Sequence, residues 1–437
     1  MMKTTPVTVF WFRRDLRFND NAGLYHALKS GKPVVGLFIF DEAILGKLNR
    51  NLPDRRVDFI YNAIQQLRHE FEKQGGTLEV IHATVDQAWK QLMQAYSVQA
   101  VYTNHDYEPY ARRRDKEIGT FLTEKGITFY TCKDQVIFEK NEIVKDDGKP
   151  YTVFTPYKNK WRKTVNKFYL RSYPVEKYAK KLLQTTARFH VNHDSLGFPK
   201  SQESSSTFLL NDELLKNYAE LRDFPARNAT SKLSIHLRFG TVSIRELFRH
   251  AAPLSETWTN ELIWREFYMQ ILWHFPHVAT QAFKPEYDRI AWRNNEEEFK
   301  KWCEGKTGYP LVDAGMRELN ATGFMHNRVR MVVASFLTKH LLIDWRWGEA
   351  YFAAKLNDFE LSSNNGGWQW AAGSGTDAAP YFRIFNPSEQ LRKFDPQAVY
   401  VKKWVPEYGT SNYPQPIVDH AFARDRCLTT YKAALAK

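Results

Sequence analysis

The first third of this chain alternates short apolar runs with helical patterns, and no other feature narrows its fold as much. Pro6–Phe12 (PVTVFWF), Pro33–Phe40 (PVVGLFIF), Thr77–Ala83, Gln99–Thr103 and Thr128–Cys132 read as strands. Short runs rich in β-branched and aromatic residues suit a buried pleated surface. Arg56–Gln74 and Val85–Ala95, lying between them, carry helical periodicity. Strands separated by helices imply an α/β, doubly wound parallel sheet with helices on both faces. The first strand runs into RRDLRFNDN from Arg13 where a dinucleotide dehydrogenase would place G-x-G-x-x-G. No Walker-type loop occurs anywhere, so both nucleotide-fingerprint classes are disfavoured.

The alternation stops near position 133, and after about 207 the signals are helical with almost no strand candidates. A chain of 437 residues suits two or three domains. The expected division is an α/β domain over 1–133, a linker over 134–207 and an all-α domain over 208–437. Within the linker, Tyr157–Lys181 carries nine Lys/Arg against one acid, Glu176. A solvated face explains such a run at least as well as direct DNA contact does. Gln202–Thr207 (QESSST) has the composition of a flexible boundary.

The net charge of +13 points to a polyanionic partner, most simply nucleic acid. A membrane surface would need a basic amphipathic anchor, and none stands out. No apolar stretch approaches a transmembrane span, and the N-terminus does not read as a signal peptide. Three widely spaced cysteines (Cys132, Cys303, Cys427) argue against a disulfide framework or metal clip and for a reducing cytosol. The expectation is a cytoplasmic monomer without an obligate protein partner.

Ten of the 13 tryptophans lie between Trp258 and Trp404. Core packing accounts for any one of them; for the set, a chromophore pocket or electron-transfer chain competes. Glu261–Phe275 (ELIWREFYMQILWHF) reads as a helix in which Glu261, Trp264, Arg265 and Tyr268 share one face. That stripe suits an ordinary amphipathic surface, and equally a flipped base, stacked on the Trp and read by the carboxylate. In MHNRVRM (Met325–Met331), Asn327, Arg330 and Met331 lie within about one turn, Arg328 could meet a phosphate, and Arg330 could pair with Asp358. Thr230–Ser234 (TSKLS) offers hydroxyls beside a helix start, a possible phosphate cradle or a simple cap. His274 and His277 lack further ligands at metal-site spacing, and Gly373-Ser374-Gly375 is not a nucleophile elbow. Finally, Asp358–Pro387 sets Trp368 and Trp370 beside an Asn-Asn-Gly-Gly turn, followed by small residues and Arg383. Flat aromatics, amides and glycines suit a large planar ligand better than a packing core.

These segments resemble the DNA photolyase/cryptochrome family along almost the whole chain. The likeness rests on WFRRDLRFNDN, YAELRDFP at Tyr218, TSKLS, NELIWREFY at Asn260, KTGYPLVDAGMR at Lys306, TGFMHNRVRM at Thr322, DWRWGE at Asp344 and NNGGWQWAAGSGTDAAPYFRIFNP at Asn364. The class I cyclobutane pyrimidine dimer enzymes are most similar. The resemblance implies an N-terminal antenna domain and a helical domain holding FAD. It implies flavin contacts at Tyr218, Thr230, Ser231, Lys232, Leu233, Ser234, Trp258, Arg330, Asp358 and Phe359, and places Asn364 opposite flavin N5. Glu360 is less clear, because members often read Asp-Gly-Asp where this chain has Asp358-Phe359-Glu360. Trp368, Trp345 and Trp292 match electron-transfer tryptophans, with Trp302 a possible substitute. Glu261, Trp264, Asn327, Met331, Gln369 and Trp370 match the lesion pocket, and Arg222, Arg265, Arg328 and Arg383 the DNA-facing cations. Folate-binding members carry Asn-Glu where Tyr110-Ala111 stands here. A second chromophore is therefore expected to be a flavin or deazaflavin in preference to a folate.

The implied function is light-driven repair of cyclobutane dimers in UV-damaged DNA by electron transfer from reduced FAD. A blue-light receptor without repair activity is the alternative. A DNA-binding module without catalysis would explain the charge but not the Asn364–Trp370 segment.

Overall fold

The computed structural model describes residues 6–201 and 208–436, so the expected boundary at Gln202–Thr207 lies outside the described residues. The five expected strands form as β1 (Pro6–Phe12), β2 (Val34–Asp41), β3 (Leu78–Ala83), β4 (Ser97–Asn104) and β5 (Thr128–Cys132). They make one parallel sheet in the order β3-β2-β1-β4-β5. In β1 and β2 apolar residues succeed one another with almost no polar alternate because both faces are covered. Phe10, Phe12 and Phe38 enter one core, while Val9, Trp11, Val35 and Leu37 enter the other. β5 is the edge strand and the most exposed of the five. Asn21, Asp54 and Thr84 each start a helix by accepting a main-chain N–H, Thr84 within a reciprocal capping box with Gln87.

After β5 the described chain contains no strand, only isolated bridges of Val144 with Pro150 and of Leu182 with Val34. The helices that matter below are Phe154–Thr164, Glu256–His274, Pro310–Thr322, Asn327–Ser335, Trp345–Lys355 and Leu361–Ala372. A second apolar core runs through Leu311, Val329, Phe336, Trp345, Phe352 and Trp368.

The chain forms two compact units that do not follow sequence blocks. One contains residues 1–139, 164–207 and 233–250; the other contains 140–163, 208–232 and 251–437. Residues 134–207 are correspondingly no free-standing linker. Val175, Ala179, Leu182, Leu196 and Phe198 are buried in the core of the first unit, and Phe154, Tyr157 and Trp161 are buried in the second. Apolar side chains at these positions bind the segment down despite its basic composition.

Candidate active site

Two helices of the second unit, Glu256–His274 and Leu361–Ala372, meet at a glycine. A Cβ on Gly366 would lie 2.2 Å from the Tyr268 ring, so only glycine lets the backbones approach this closely. The expected Asn-Asn-Gly-Gly turn is therefore a mid-helix stretch, in which the glycines serve packing. On the next residue the geometry reverses. A Cβ on Gly367 would meet nothing within 4 Å, and Gly367 is exposed. Asn364 lies one turn earlier on the same face. Its amide donates to the Glu349 carboxylate at 2.8 Å and to the Glu349 carbonyl at 3.1 Å. Burial holds the Glu349 carboxyl above the ordinary carboxylate range, and the bond from Asn364 opposes that rise.

The expected stripe on Glu256–His274 is real, but its members do different things. Glu261 accepts from Arg222 at 2.5 Å. Asp223 lies 3.9 Å from Arg222 and 2.9 Å from Arg328, extending the pair into a four-residue ionic chain. The Glu261 side chain keeps 36 % of its surface accessible, yet desolvation raises its carboxyl above the usual value, with Arg222 opposing. A group open to water yet crowded by protein sits in a recess. The Arg222 guanidinium also lies 5.4 Å from the Tyr218 ring centroid. Trp264 is half-buried and stacks face to face on Phe154, with centroids 3.6 Å apart and planes 7° from parallel.

Arg265 departs from expectation. It is 11 % exposed and forks onto Glu360 at 3.0 and 3.1 Å, so its charge is spent on an internal carboxylate and does not face DNA. Glu360, itself 5 % exposed, is taken up by the same pair. Gln369 is also corrected. It is 1 % exposed, donates to the carbonyls of Val278 and Gln281 and to Asn365 Oδ1, and accepts from Phe283 N–H. That amide brackets a loop and has nothing left for a substrate.

Around the expected flavin site, Arg330 pairs with Asp358 at 2.9 Å, as a guanidinium with few other partners requires. Trp258 Nε1 donates to Ser231 Oγ at 3.4 Å. Thr230 is half-buried and Lys232 takes a left-handed φ of 53°. Leu233 and Ser234 belong to the first unit, where Ser234 opens the short helix Ser234–Phe239. Phe359 is half-buried against the second core. The residues present fit a flavin. Gly367 leaves open space beside Asn364, while Trp368 Nε1 and Ser362 Oγ are buried without a partner among the described residues.

Trp368 and Trp345 are each 2 % exposed, and Trp292 is half-buried against both the second core and a smaller cluster around Tyr431. Trp302 is fully buried and lies 6.1 Å from Trp368 between ring centroids. Asn327 is exposed, and Met331 and Trp370 are half-buried, so Met331 is not core filler. His326 is buried, and its Nδ1 accepts the Arg328 N–H at 3.2 Å. Arg383 is exposed. His274 Nε2 bonds the Lys140 carbonyl at 3.0 Å, and no group of three or more metal-ligating side chains occurs among the described residues.

Phe154, Asp223 and Glu349 went unnoticed in the sequence. Each sits in an ordinary local pattern, and Phe154 lies far along the chain from the tryptophan it touches. Asp223 and Glu349 left a trace, the one as the acid beside Arg222 in YAELRDFP and the other as the last residue of DWRWGE.

Residues 8–178 match the family described as DNA photolyase, and residues 258–412 match the FAD binding domain of DNA photolyase. A deoxyribodipyrimidine photo-lyase of a Synechococcus strain is 36 % identical over 98 % of each chain. The crystal structure of a bacterial class III photolyase from Agrobacterium tumefaciens superposes with a TM-score of 0.83 at 34 % identity, covering 100 % of this chain and 99 % of that one. An archaeal photolyase from Sulfolobus tokodaii, solved with two FAD molecules, gives 0.82 at 34 % identity, covering 98 % and 99 %. No helix among the described residues is long and apolar enough to cross a membrane. With the fold, the crossing at Gly366 and the matched spans in agreement, the chain belongs to the DNA photolyase family.

Proposed function

We propose that this protein is a deoxyribodipyrimidine photo-lyase, repairing cyclobutane pyrimidine dimers in UV-damaged DNA under blue or near-ultraviolet light. The substrate assignment rests on Asn327 and Met331, which the resemblance assigns to the lesion pocket: they lie about one turn apart on one helix, one exposed and one half-buried, with no acid between them. Repair of a (6-4) photoproduct needs proton transfer, and neither side chain is a general acid near neutral pH. The adjacent His326 is no substitute, since burial pushes its imidazole down to about 4 and leaves it neutral. Cyclobutane splitting requires only an electron and a wall that tolerates an apolar ring, for which a thioether is well suited.

The residues of the second unit that would hold FAD are Tyr218, Thr230, Ser231, Lys232, Trp258, Arg330, Asp358, Phe359 and Asn364. When bound and reduced, FAD would supply light-driven electron transfer for ring opening. The Arg330–Asp358 pair presents charge to that site, and Asn364, oriented by Glu349, offers its amide oxygen as an acceptor. Glu261 reads the polar edge of the flipped base, Trp264 and Trp370 give it aromatic walls, and Arg222, Arg328 and Arg383 meet phosphates. Trp368, Trp345 and Trp292 conduct electrons between the flavin site and the surface. We also read the protein as a monomer, and as cytoplasmic, the latter supported by three free cysteines, of which Cys427 is fully buried. A second chromophore of flavin type is favoured by the two FAD molecules of the Sulfolobus relative.

Illuminating reduced protein with oligonucleotides carrying either lesion tests the assignment. Restoration of the cyclobutane dimer alone is expected, and efficient repair of the (6-4) lesion overturns it.

A further inference from the structure

We propose that Phe154 is a positioning residue that seals one face of Trp264 and presents the other to the lesion as a rigid platform. The inference rests on the placement of Trp264 in the lesion pocket. Aromatic pairs left to themselves prefer offset or edge-to-face arrangements, because the quadrupoles of a face-to-face sandwich repel. Phe154 and Trp264 are nonetheless nearly eclipsed, 3.6 Å apart and 7° from parallel. Something other than ring electrostatics must hold them so.

The surroundings supply it. The Phe154 N–H donates to Asp377 Oδ2 at 3.0 Å, and Thr376 Oγ1 donates to the Thr152 carbonyl at 2.6 Å. Asp377 takes a left-handed φ of 46°, a conformation that aspartate adopts more readily than most residues and that glycine adopts at no steric cost. Further along the same segment, Trp161 Nε1 and the Tyr157 hydroxyl both donate to Glu266, at 2.5 and 3.2 Å. Glu266 lies on the helix that carries Trp264, two residues later. The Phe154 segment is thus fastened at one end to the loop after Leu361–Ala372 and at the other to the Trp264 helix itself. Phe154 is 7 % exposed, whereas Trp264 stays half-open.

Two consequences follow for recognition. A base can stack on Trp264 from one side only, and the indole plane is set before the base arrives, which lowers the ordering cost of binding. Because Phe154 touches neither phosphates nor the ionic chain at Arg222, its contribution is confined to the flipped base.

The test compares Phe154→Leu, Phe154→Tyr and Trp264→Ala by affinity for dimer-bearing and undamaged oligonucleotides across a salt series, with FAD absorbance as a check on the fold. Phe154→Leu is expected to lose roughly tenfold in dimer affinity, within the range of one base–aromatic stack. Its affinity for undamaged DNA, its salt slope and its FAD content should stay unchanged. Phe154→Tyr keeps the ring and should restore dimer affinity. In the Trp264→Ala background, Phe154→Leu should have no further effect. If Phe154→Leu does not fold, Asp377→Gly removes the anchor while relieving the backbone, and should show the same selective loss. Loss of dimer affinity in Trp264→Ala with none in the folded Phe154 or Asp377 variant overturns the proposal. Unchanged dimer affinity in Trp264→Ala refutes the placement of Trp264, and the inference with it.

Discussion

Asn364 is held by its own two amide hydrogens, which leaves the carbonyl oxygen as the end free to accept. Asn364→Asp would set a second carboxyl against Glu349, already raised by burial, and the two would share a proton. The expected outcome is retained FAD with a lower yield of the fully reduced form, read from absorption spectra during illumination; unchanged photoreduction would remove Asn364 from the flavin site. His326 makes a different prediction. Its imidazole is pushed from 6.5 to about 4 in the folded protein, so between those values the unfolded chain binds the extra proton. Stability should fall as pH drops through that window, by up to about 3 kcal/mol from this group. His326→Asn keeps a capping oxygen for the Arg328 N–H and should flatten this acid limb in denaturant titrations at several pH values. Among individual side chains, the Arg330–Asp358 pair was legible in sequence because a guanidinium near a core demands a carboxylate. Arg265 and Gln369 were misplaced for the converse reason: the resemblance carries a role over by position, but does not say which carboxylate or carbonyl waits opposite.

The helix crossing at Gly366 and Gly367 gives a paired prediction, since neighbouring glycines face opposite demands. Gly366→Ala drives a methyl into the Tyr268 ring and should destabilise by about 2–3 kcal/mol in thermal or chemical unfolding. Gly367→Ala meets no atom and should stabilise the helix by about 0.5–1 kcal/mol. The same methyl enters the space beside Asn364, so FAD retention on gel filtration should fall even as stability rises. The buried strands were readable almost to the residue, because burial on both faces writes an unbroken apolar run. The Asn-Asn-Gly-Gly helix was not, since glycine in sequence signals a turn and a close crossing alike. The aromatic elements make a further prediction. Trp292→Phe should block photoreduction of oxidised flavin while pre-reduced enzyme still repairs. Trp302, 6.1 Å from Trp368, is placed to provide partial activity in that variant, and Trp302→Phe added to Trp292→Phe should abolish it. Full photoreduction without both residues refutes conduction along this route.

Across the whole molecule, the net charge of +13 makes DNA binding steeply salt-dependent. Arg383 is exposed and Arg328 is tied to Asp223, so the two should differ. Arg383→Ala is expected to reduce the slope of log affinity against log salt by about one, for damaged and undamaged DNA alike. Arg328→Ala should reduce it less, because a carboxylate already offsets part of that charge. Equal effects in salt-series titrations would show that the Asp223 pair opens on binding. The order of the two domains could be read from the sequence, but their exchange of segments could not, because apolar residues in a basic stretch do not say which core they join. That exchange bears on how the protein can be made. Arg245, 5 % exposed, bonds both Asp20 and Asp134, which are buried beside the N-terminal sheet. A ribosome that has released residues 1–134 has therefore supplied two interior carboxylates and one cation, Arg17, which lies 2.7 Å from Asp134, while the cation that pairs with Asp20 emerges more than a hundred residues later. Until translation passes residue 245 the buried Asp20 lacks its ion pair, and a fragment cut at the apparent domain boundary would keep Arg17 on Asp134 but leave Asp20 without that partner.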